Sequence, residues 1–204
     1  MSSFVKVDSV YLATQNEHKI VEFDGFLRPF GLNVLPLPAG IAKCPENGVT
    51  FEANVMEKAS YYAQYCDGFV LADDSGICVD ALGGKPGVHS ARFAGPDGTD
   101  EDMRSELLRQ LESIEARMRS AQMVSVVSLW SRSFPVGIVA RGEIEGMILD
   151  HPRGAHGFGY DPLFFVPSLG KTLSEIPTHE KNRISHRAKA LSSLVNTLEK
   201  LGMI

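Results

Sequence analysis

Asp73 and Asp74 stand side by side at the end of the apolar run Phe69-Val70-Leu71-Ala72 and are followed by Ser75 and Gly76. A chain shaped only for packing avoids two adjacent carboxylates beside an apolar run. The run reads as a short buried strand that stops at the acids, and Asp73 to Gly76 reads as the turn after it. Loops beyond the carboxyl ends of strands often carry ligand sites in α/β proteins, which favours chemistry. The alternative is an Asx turn whose acids only cap backbone amides.

Three further groups of residues suit an anionic, planar ligand. Thr14, Asn16 and Lys19 occupy a strand-to-helix turn, where exposed amides and the helix dipole favour a phosphate, although a plain helix cap accounts for the same residues. The spacing is not a Walker motif, and Gly170-Lys171-Thr172 fails that test because Phe165 stands where the first glycine belongs. Gly157-Phe158-Gly159-Tyr160-Asp161-Pro162 sets glycines beside flat side chains, which suits stacking on a base or simply a turn with buried rings. Lys181 to Arg187 gathers donors at the entrance to the last helix, against its dipole, so a carbonyl-bearing or anionic partner competes with a solvated basic face.

These groups need elements to hold them. Val5 to Ala13 reads as a strand, then Thr14-Gln15-Asn16 as a turn, then a helix with Ile20, Val21, Phe23 and Leu27 inward. Asn33 to Leu37 reads as a second strand. Thr50 caps a helix to about Tyr65, with Phe51, Val55, Ala59, Tyr62 and Ala63 on its apolar side. At 100° per residue Lys58 falls on that same side, where an ammonium must snorkel out or find an anion. Thr99 or Asp100 caps a helix to about Arg119, with Met103, Leu107, Leu111, Ile114 and Met118 inward. Met123 to Trp130 and Pro135 to Arg141 read as a hairpin, Glu143 to Leu149 extends or follows its second strand, and a last helix runs from about Ser185 to Leu201.

At 204 residues, 44% hydrophobic and 22% charged, the chain suits a single domain over residues 1–204 with a sizeable core. A net charge of −5 argues against a footprint for polymeric nucleic acid but not against a nucleotide held by a few lysines. Cys44, Cys66 and Cys78 are odd in number and lack metal-type or redox-type spacing, so free thiols in a reduced, cytoplasmic setting are expected. With no apolar stretch of membrane-spanning length, no membrane association is expected.

Together and in this order, the segments strongly resemble the inosine triphosphate pyrophosphatase family, also called Ham1-like. The resemblance is carried by Leu12 to Lys19, by Thr50-Phe51-Glu52-Ala53-Asn54 with Lys58, and by Leu71 to Gly84. Pro86-Gly87-Val88, Ser90-Ala91-Arg92, Gly157 to Pro162 and Glu180 to Leu191 complete it. It implies an α/β fold with a long, mixed, twisted sheet flanked by helices, two lobes around a central active-site cleft, and a homodimer. It also implies Mg²⁺-dependent hydrolysis of ITP, dITP and XTP to the monophosphate and pyrophosphate, a house-cleaning role in the nucleotide pool.

Residue by residue, the resemblance makes Asp74 the general base and a metal-linked acid, Glu46 the other metal-associated carboxylate, and Asp73 a supporting acid. Thr14, Gln15, Asn16, Glu17, His18, Lys19, Lys58 and Ser75 would bind the substrate, with Lys19 and Lys58 placed to meet its phosphates. Phe158 would stack on the base, Gly159, Tyr160 and Asp161 would shape its pocket, and Lys181, His186 and Arg187 would recognise it. Gln15 and His18 depart from the family, where a glycine and a small residue are usual, so retained activity with altered phosphate affinity is expected. A nucleotide-binding module that does not hydrolyse its ligand is the competing function, and pyrophosphate release separates the two.

Overall fold

A computed structural model describes residues 6–204, apart from the side chains of Pro135 and Val136. Among the described residues seven strands form a mixed sheet in the order β2-β1-β3-β4-β5-β6-β7. They are β1 (Ser9–Leu12), β2 (Asn33–Pro36), β3 (Phe69–Val79), β4 (Ser120–Ser131), β5 (Phe134–Ile148), β6 (Phe164–Val166) and β7 (Lys171–Thr172). β1 pairs in parallel with β2 and β3, whereas β6 pairs antiparallel with β5 and β7. Among the described residues five α-helices accompany them: α1 (Glu17–Leu27), α2 (Phe51–Ala63), α3 (Asp100–Gln110), α4 (Thr178–Ile184) and α5 (His186–Lys200). No helix among the described residues is long and apolar enough to cross a membrane, and all three cysteines are free.

The chain divides into two compact units. The first takes the residues up to Asp74, Ser125–Gly142 and Arg187–Ile204; the second takes Ser75–Val124 and Glu143–His186. Each has its own core. In the first, Phe23 and Leu27 of α1 and Leu191, Leu194, Val195 and Leu198 of α5 pack with Val10, Leu12, Leu71, Val127 and Leu129 from the strands. In the second, Met103 and Leu107 of α3 pack with Ile77, Val79, Ile144, Ile148, Phe164 and Val166. Burying one such side chain contributes about 1.5–3 kcal/mol, so each unit is anchored by its own apolar set.

The largest departure from the sequence reading lies at the acids. Asp73 to Gly76 is not a turn: β3 runs through it for 11 residues, and both acids are buried within the strand. Gly76 answers to close approach, because a Cβ there would run into the Gly87 carbonyl and the Ser90 hydroxyl. The strand continues because those charges find partners, so the polar residues that usually end a strand are tolerated inside one.

Smaller differences have local causes. Val5, placed at the start of the first strand, lies outside the described residues; β1 begins at Ser9. On α1 the inward face carries Glu22, Phe23 and Leu27, while Ile20 and Val21 are exposed. α3 stops at Gln110 rather than near Arg119, yet Leu111 stays fully buried and Ile114 packs on the same core. The Arg119 guanidinium donates to the carbonyls of Leu111 (2.9 Å) and Ile114 (2.9 Å), serving acceptors that a longer helix would use itself. Met118 is exposed. Lys181 to Arg187 crosses a break: Ser185 is extended and separates α4 from α5. Leu201 lies past α5 and is half exposed.

Candidate active site

In the first unit the acids are sorted by their partners. Successive strand residues point to opposite faces, and Asp73 and Asp74 meet different elements. One Asp73 oxygen takes the Lys19 ammonium from α1 at 2.6 Å and the other takes the Ser125 hydroxyl from β4 at 2.7 Å. Asp74 Oδ2 instead accepts the side-chain amide of Asn54 from α2 at 2.9 Å.

Their acidities move apart. Burial disfavours the Asp73 carboxylate, but the charges of Lys19 and Arg187 and the hydrogen bonds from Lys19 and Ser125 outweigh it, holding its pKa well below the usual carboxylate range. Burial pushes Asp74 up; Asn54 and Lys58 oppose the rise, while the neighbouring charges of Asp73 and Glu46 add to it. Adjacent carboxylates pushed in opposite directions separate into a fixed anion and a proton acceptor. Here Asp73 is held as the anion, and Asp74 holds a proton more readily.

Lys58 lies on the buried face of α2, and its anion is a carboxylate. Its ammonium lies 3.1 Å from Glu46 Oε1 and donates to the backbone carbonyl of Asp73 at 3.0 Å. The same ammonium thus ties the segment carrying Glu46 to the acidic strand. Glu46 and Asp74 are hard oxygen donors close enough that one raises the pKa of the other, a repulsion a divalent cation relieves. Among the described residues no group of three or more His, Cys, Asp or Glu is arranged to hold a metal. Two carboxylates without a closed cage fit Mg²⁺, which is usually held by one or two carboxylates together with phosphates and keeps several waters.

The turn before α1 is built by its own side chains. Thr14 Oγ1 accepts the amide of Asn16 at 3.2 Å, and Asn16 caps the helix by accepting the amide of Lys19 at 3.1 Å. Gln15, Glu17 and His18 are exposed. No non-glycine among the described residues has a positive φ, so Gln15 needs no glycine conformation. An ammonium has three donors, and Lys19 commits one to Asp73.

Arg187 belongs to this unit. It pairs with Glu22 at 2.9 Å, both side chains being only 6% exposed, and its charge acts on Asp73. Glu22 and Asn54 had no assigned role in the sequence reading: a glutamate on an apolar face and an asparagine in a first helical turn give little signal without their partners.

The second unit holds the aromatic loop. Asp161, almost fully buried, accepts the Phe158 amide at 3.0 Å and the Lys181 ammonium at 2.7 Å through one oxygen. Lys181 Nζ also lies 5.1 Å from the centre of the Phe158 ring, within cation–π range. Gly157 and Gly159 have left-handed backbones (φ 76° and 59°), and a Cβ on Gly157 would strike Asp161. Tyr160 is buried and donates its hydroxyl to the Ser90 carbonyl at 2.9 Å. Gly159 is held through both its backbone polar groups by α3: its N–H donates to Asp100 at 2.6 Å and its carbonyl accepts from Arg104 at 2.8 Å. Ser75, half-buried in β3, and the fully buried His186 also fall in this unit.

Known proteins resemble the chain throughout. A model described as the Ham1 family matches residues 10–197. The dITP/XTP pyrophosphatase of Thermoanaerobacter sp. (strain X514) is 42% identical over 193 residues, 94% of this chain and 96% of that protein. The protein of the same name from Neisseria meningitidis serogroup B is 43% identical over 195 residues, 95% and 98% of the two chains. Among solved structures, the Ham1 protein of Staphylococcus aureus superposes with a TM-score of 0.83 at 36% identity, covering 94% of this chain and 98% of that one. A HAM1 protein from Coxiella burnetii gives a TM-score of 0.83 at 38% identity, with 94% and 98% covered.

Proposed function

The chain belongs to the Ham1 family, and we propose that it hydrolyses ITP, dITP and XTP between the α and β phosphates, giving the nucleoside monophosphate and pyrophosphate. The observation that carries the chemistry is the pair of adjacent buried acids with different partners, Asp73 held by Lys19 and Ser125 and Asp74 by Asn54. Asp74 takes a proton from water as the water oxygen bonds to the α phosphorus. The bond from that phosphorus to the bridging oxygen then breaks, and pyrophosphate leaves with the electron pair. Lys19 and Lys58 meet the charge on the phosphates, and Thr14 to Lys19 seats them. Mg²⁺, held by Glu46 and Asp74, would supply Lewis acidity to the phosphate oxygens.

Phe158 would stack on the base, and Lys181, His186 and Arg187 would read it. Hypoxanthine and xanthine carry a carbonyl at C6 where adenine carries an amine. Donors placed for the carbonyl are left unpaired against adenine, which is an effective rejection. The proposal takes residues 1–204 as one functional domain, supported by a family match that extends through both units. It includes a cytoplasmic homodimer acting on free nucleotides.

The test is a panel of ITP, XTP, ATP and GTP with Mg²⁺, reading pyrophosphate and orthophosphate separately. Pyrophosphate from ITP and XTP well ahead of ATP and GTP is expected. Equal turnover of all four, or orthophosphate as the first product, refutes the assignment, and tight ITP binding without product would make the chain a binding module.

A further inference from the structure

The side chain of Asn54 is clamped between two partners that fix which way its amide points. Its Oδ1 accepts the backbone N–H of Gly48 at 2.7 Å, a group that can only donate, so Nδ2 must face Asp74 Oδ2, 2.9 Å away. The amide is fully buried in the first turn of α2, which the Thr50 cap anchors. Gly48 permits the approach, because a Cβ there would lie 2.6 Å from Asn54 Oδ1 and 2.9 Å from its backbone nitrogen. Two residues before Gly48 in the same segment stands Glu46, which Lys58 holds.

We propose that Asn54 is a positioning residue for the reaction: it occupies Oδ2 of Asp74, locks that carboxylate in one orientation, and directs Oδ1 toward water and metal. It also ties the orientation of Asp74 to the segment that brings Glu46. This rests on the hydrolytic reading of the site, in which Asp74 accepts the proton. Asp74 Oδ1 takes no hydrogen bond from a protein group among the described residues, so Asn54 decides which oxygen remains for chemistry. Partners that orient a metal-linked carboxylate typically matter by about 10–100-fold in activity or metal affinity.

Asn54→Ala removes both hydrogen bonds, whereas Asn54→Asp keeps an acceptor for Gly48 N–H and replaces the donor facing Asp74 by a carboxylate oxygen. If the donor positions Asp74, both variants lose about 10–100-fold in kcat for ITP with KM little changed. If Asn54 merely closes the segment before α2, Asn54→Asp turns over like the wild type, and the proposal fails. A loss in Asn54→Asp confined to KM also overturns it. Wild-type turnover run in parallel reports separately on the hydrolytic reading. A readout free of activity is the NMR signal of the Asn54 side-chain amide. It is expected to be slow to exchange in the wild type and to shift and exchange faster in Asp74→Ala; an amide unaffected by that substitution refutes the contact.

Discussion

The two compact units hold their candidate side chains by different physics. In the first, the candidate groups are charges taken out of water: Asp73, Asp74, Lys58, Glu22 and Arg187 are all buried. Each is answered by an opposite charge or a directed hydrogen bond. In the second, the candidate surface is a loop of glycines and rings, with a buried ion pair, Lys181 with Asp161, and several backbone hydrogen bonds holding its shape. Charge chemistry on phosphates demands a low-dielectric arrangement in which a lost partner is costly. Recognition of a planar base demands shape and a few donors, so its losses are graded.

The sharpest break in that comparison is Asp74→Asn. Removing a positioned base costs about 10²–10⁴ in rate, while the amide can still accept from Asn54 and nucleotide binding is largely kept. Pyrophosphate release with saturating ITP measures it, and near-normal turnover would take the base role from Asp74. Asp73→Asn works through the fold instead, since it leaves Lys19 and Arg187 without their common anion. Breaking a buried ion pair by removing one partner costs about 3–5 kcal/mol, so a clear drop in the urea midpoint is expected.

The same two acids set opposite pH dependences, best read with a chelator present. Asp73 has a folded pKa below its unfolded value of about 3.9. Its ionisation therefore stabilises the fold fully above that pH, and the contribution is lost as pH falls below it toward the depressed folded value. Asp74 has a raised folded pKa, so the fold binds its proton more tightly than the unfolded chain does. Stability falls as pH rises above about 3.9 and through the folded value, and stays lower beyond it. At pH 7 Asp74→Asn should then raise the urea midpoint and Asp73→Asn lower it; midpoints moving the same way would erase the distinction between the acids.

The sequence made one half of this legible and hid the other. Lys58 could be placed on a buried face because helical periodicity is rigid, and the Thr50 cap and the acids announce themselves by type. That the acids sit inside β3 could not be read locally, since strand continuation depends on Lys19, Ser125 and Asn54, from three other elements. Glu22 and Arg187 meet across 165 positions of sequence, and no periodicity encodes such a pair. β6 and β7 are three and two residues long, too short for an alternating pattern to register. The apolar spacing through Leu111 and Ile114 outlasts α3 because packing against one core continues after the helical hydrogen bonds end.

On the second unit the expected effects shrink. Phe158→Ala should weaken nucleotide binding by about 1–3 kcal/mol, the usual worth of a base–aromatic contact, with kcat at saturation little changed; a large fall in kcat would mean that the ring does more than stack.

The smallest predicted effect is also the most diagnostic of how that loop is held. Asp100 and Arg104 lie one turn apart on α3 and grip the two backbone polar groups of one residue, the N–H and the carbonyl of Gly159. A hydrogen bond to a charged group contributes about 1.5–3 kcal/mol net when well shielded and less where water competes, and Asp100 and its bond are exposed. Arg104→Ala should therefore raise KM for ITP several-fold, by letting the loop that carries Phe158 relax, while leaving kcat and the stability of the acid-bearing unit in place. Arg104→Lys, which keeps a donor near the carbonyl, should recover part of the loss. If Arg104→Ala instead lowered kcat as much as Asn54→Ala, the loop would share in the charge chemistry, and the division of labour between the two units would fail.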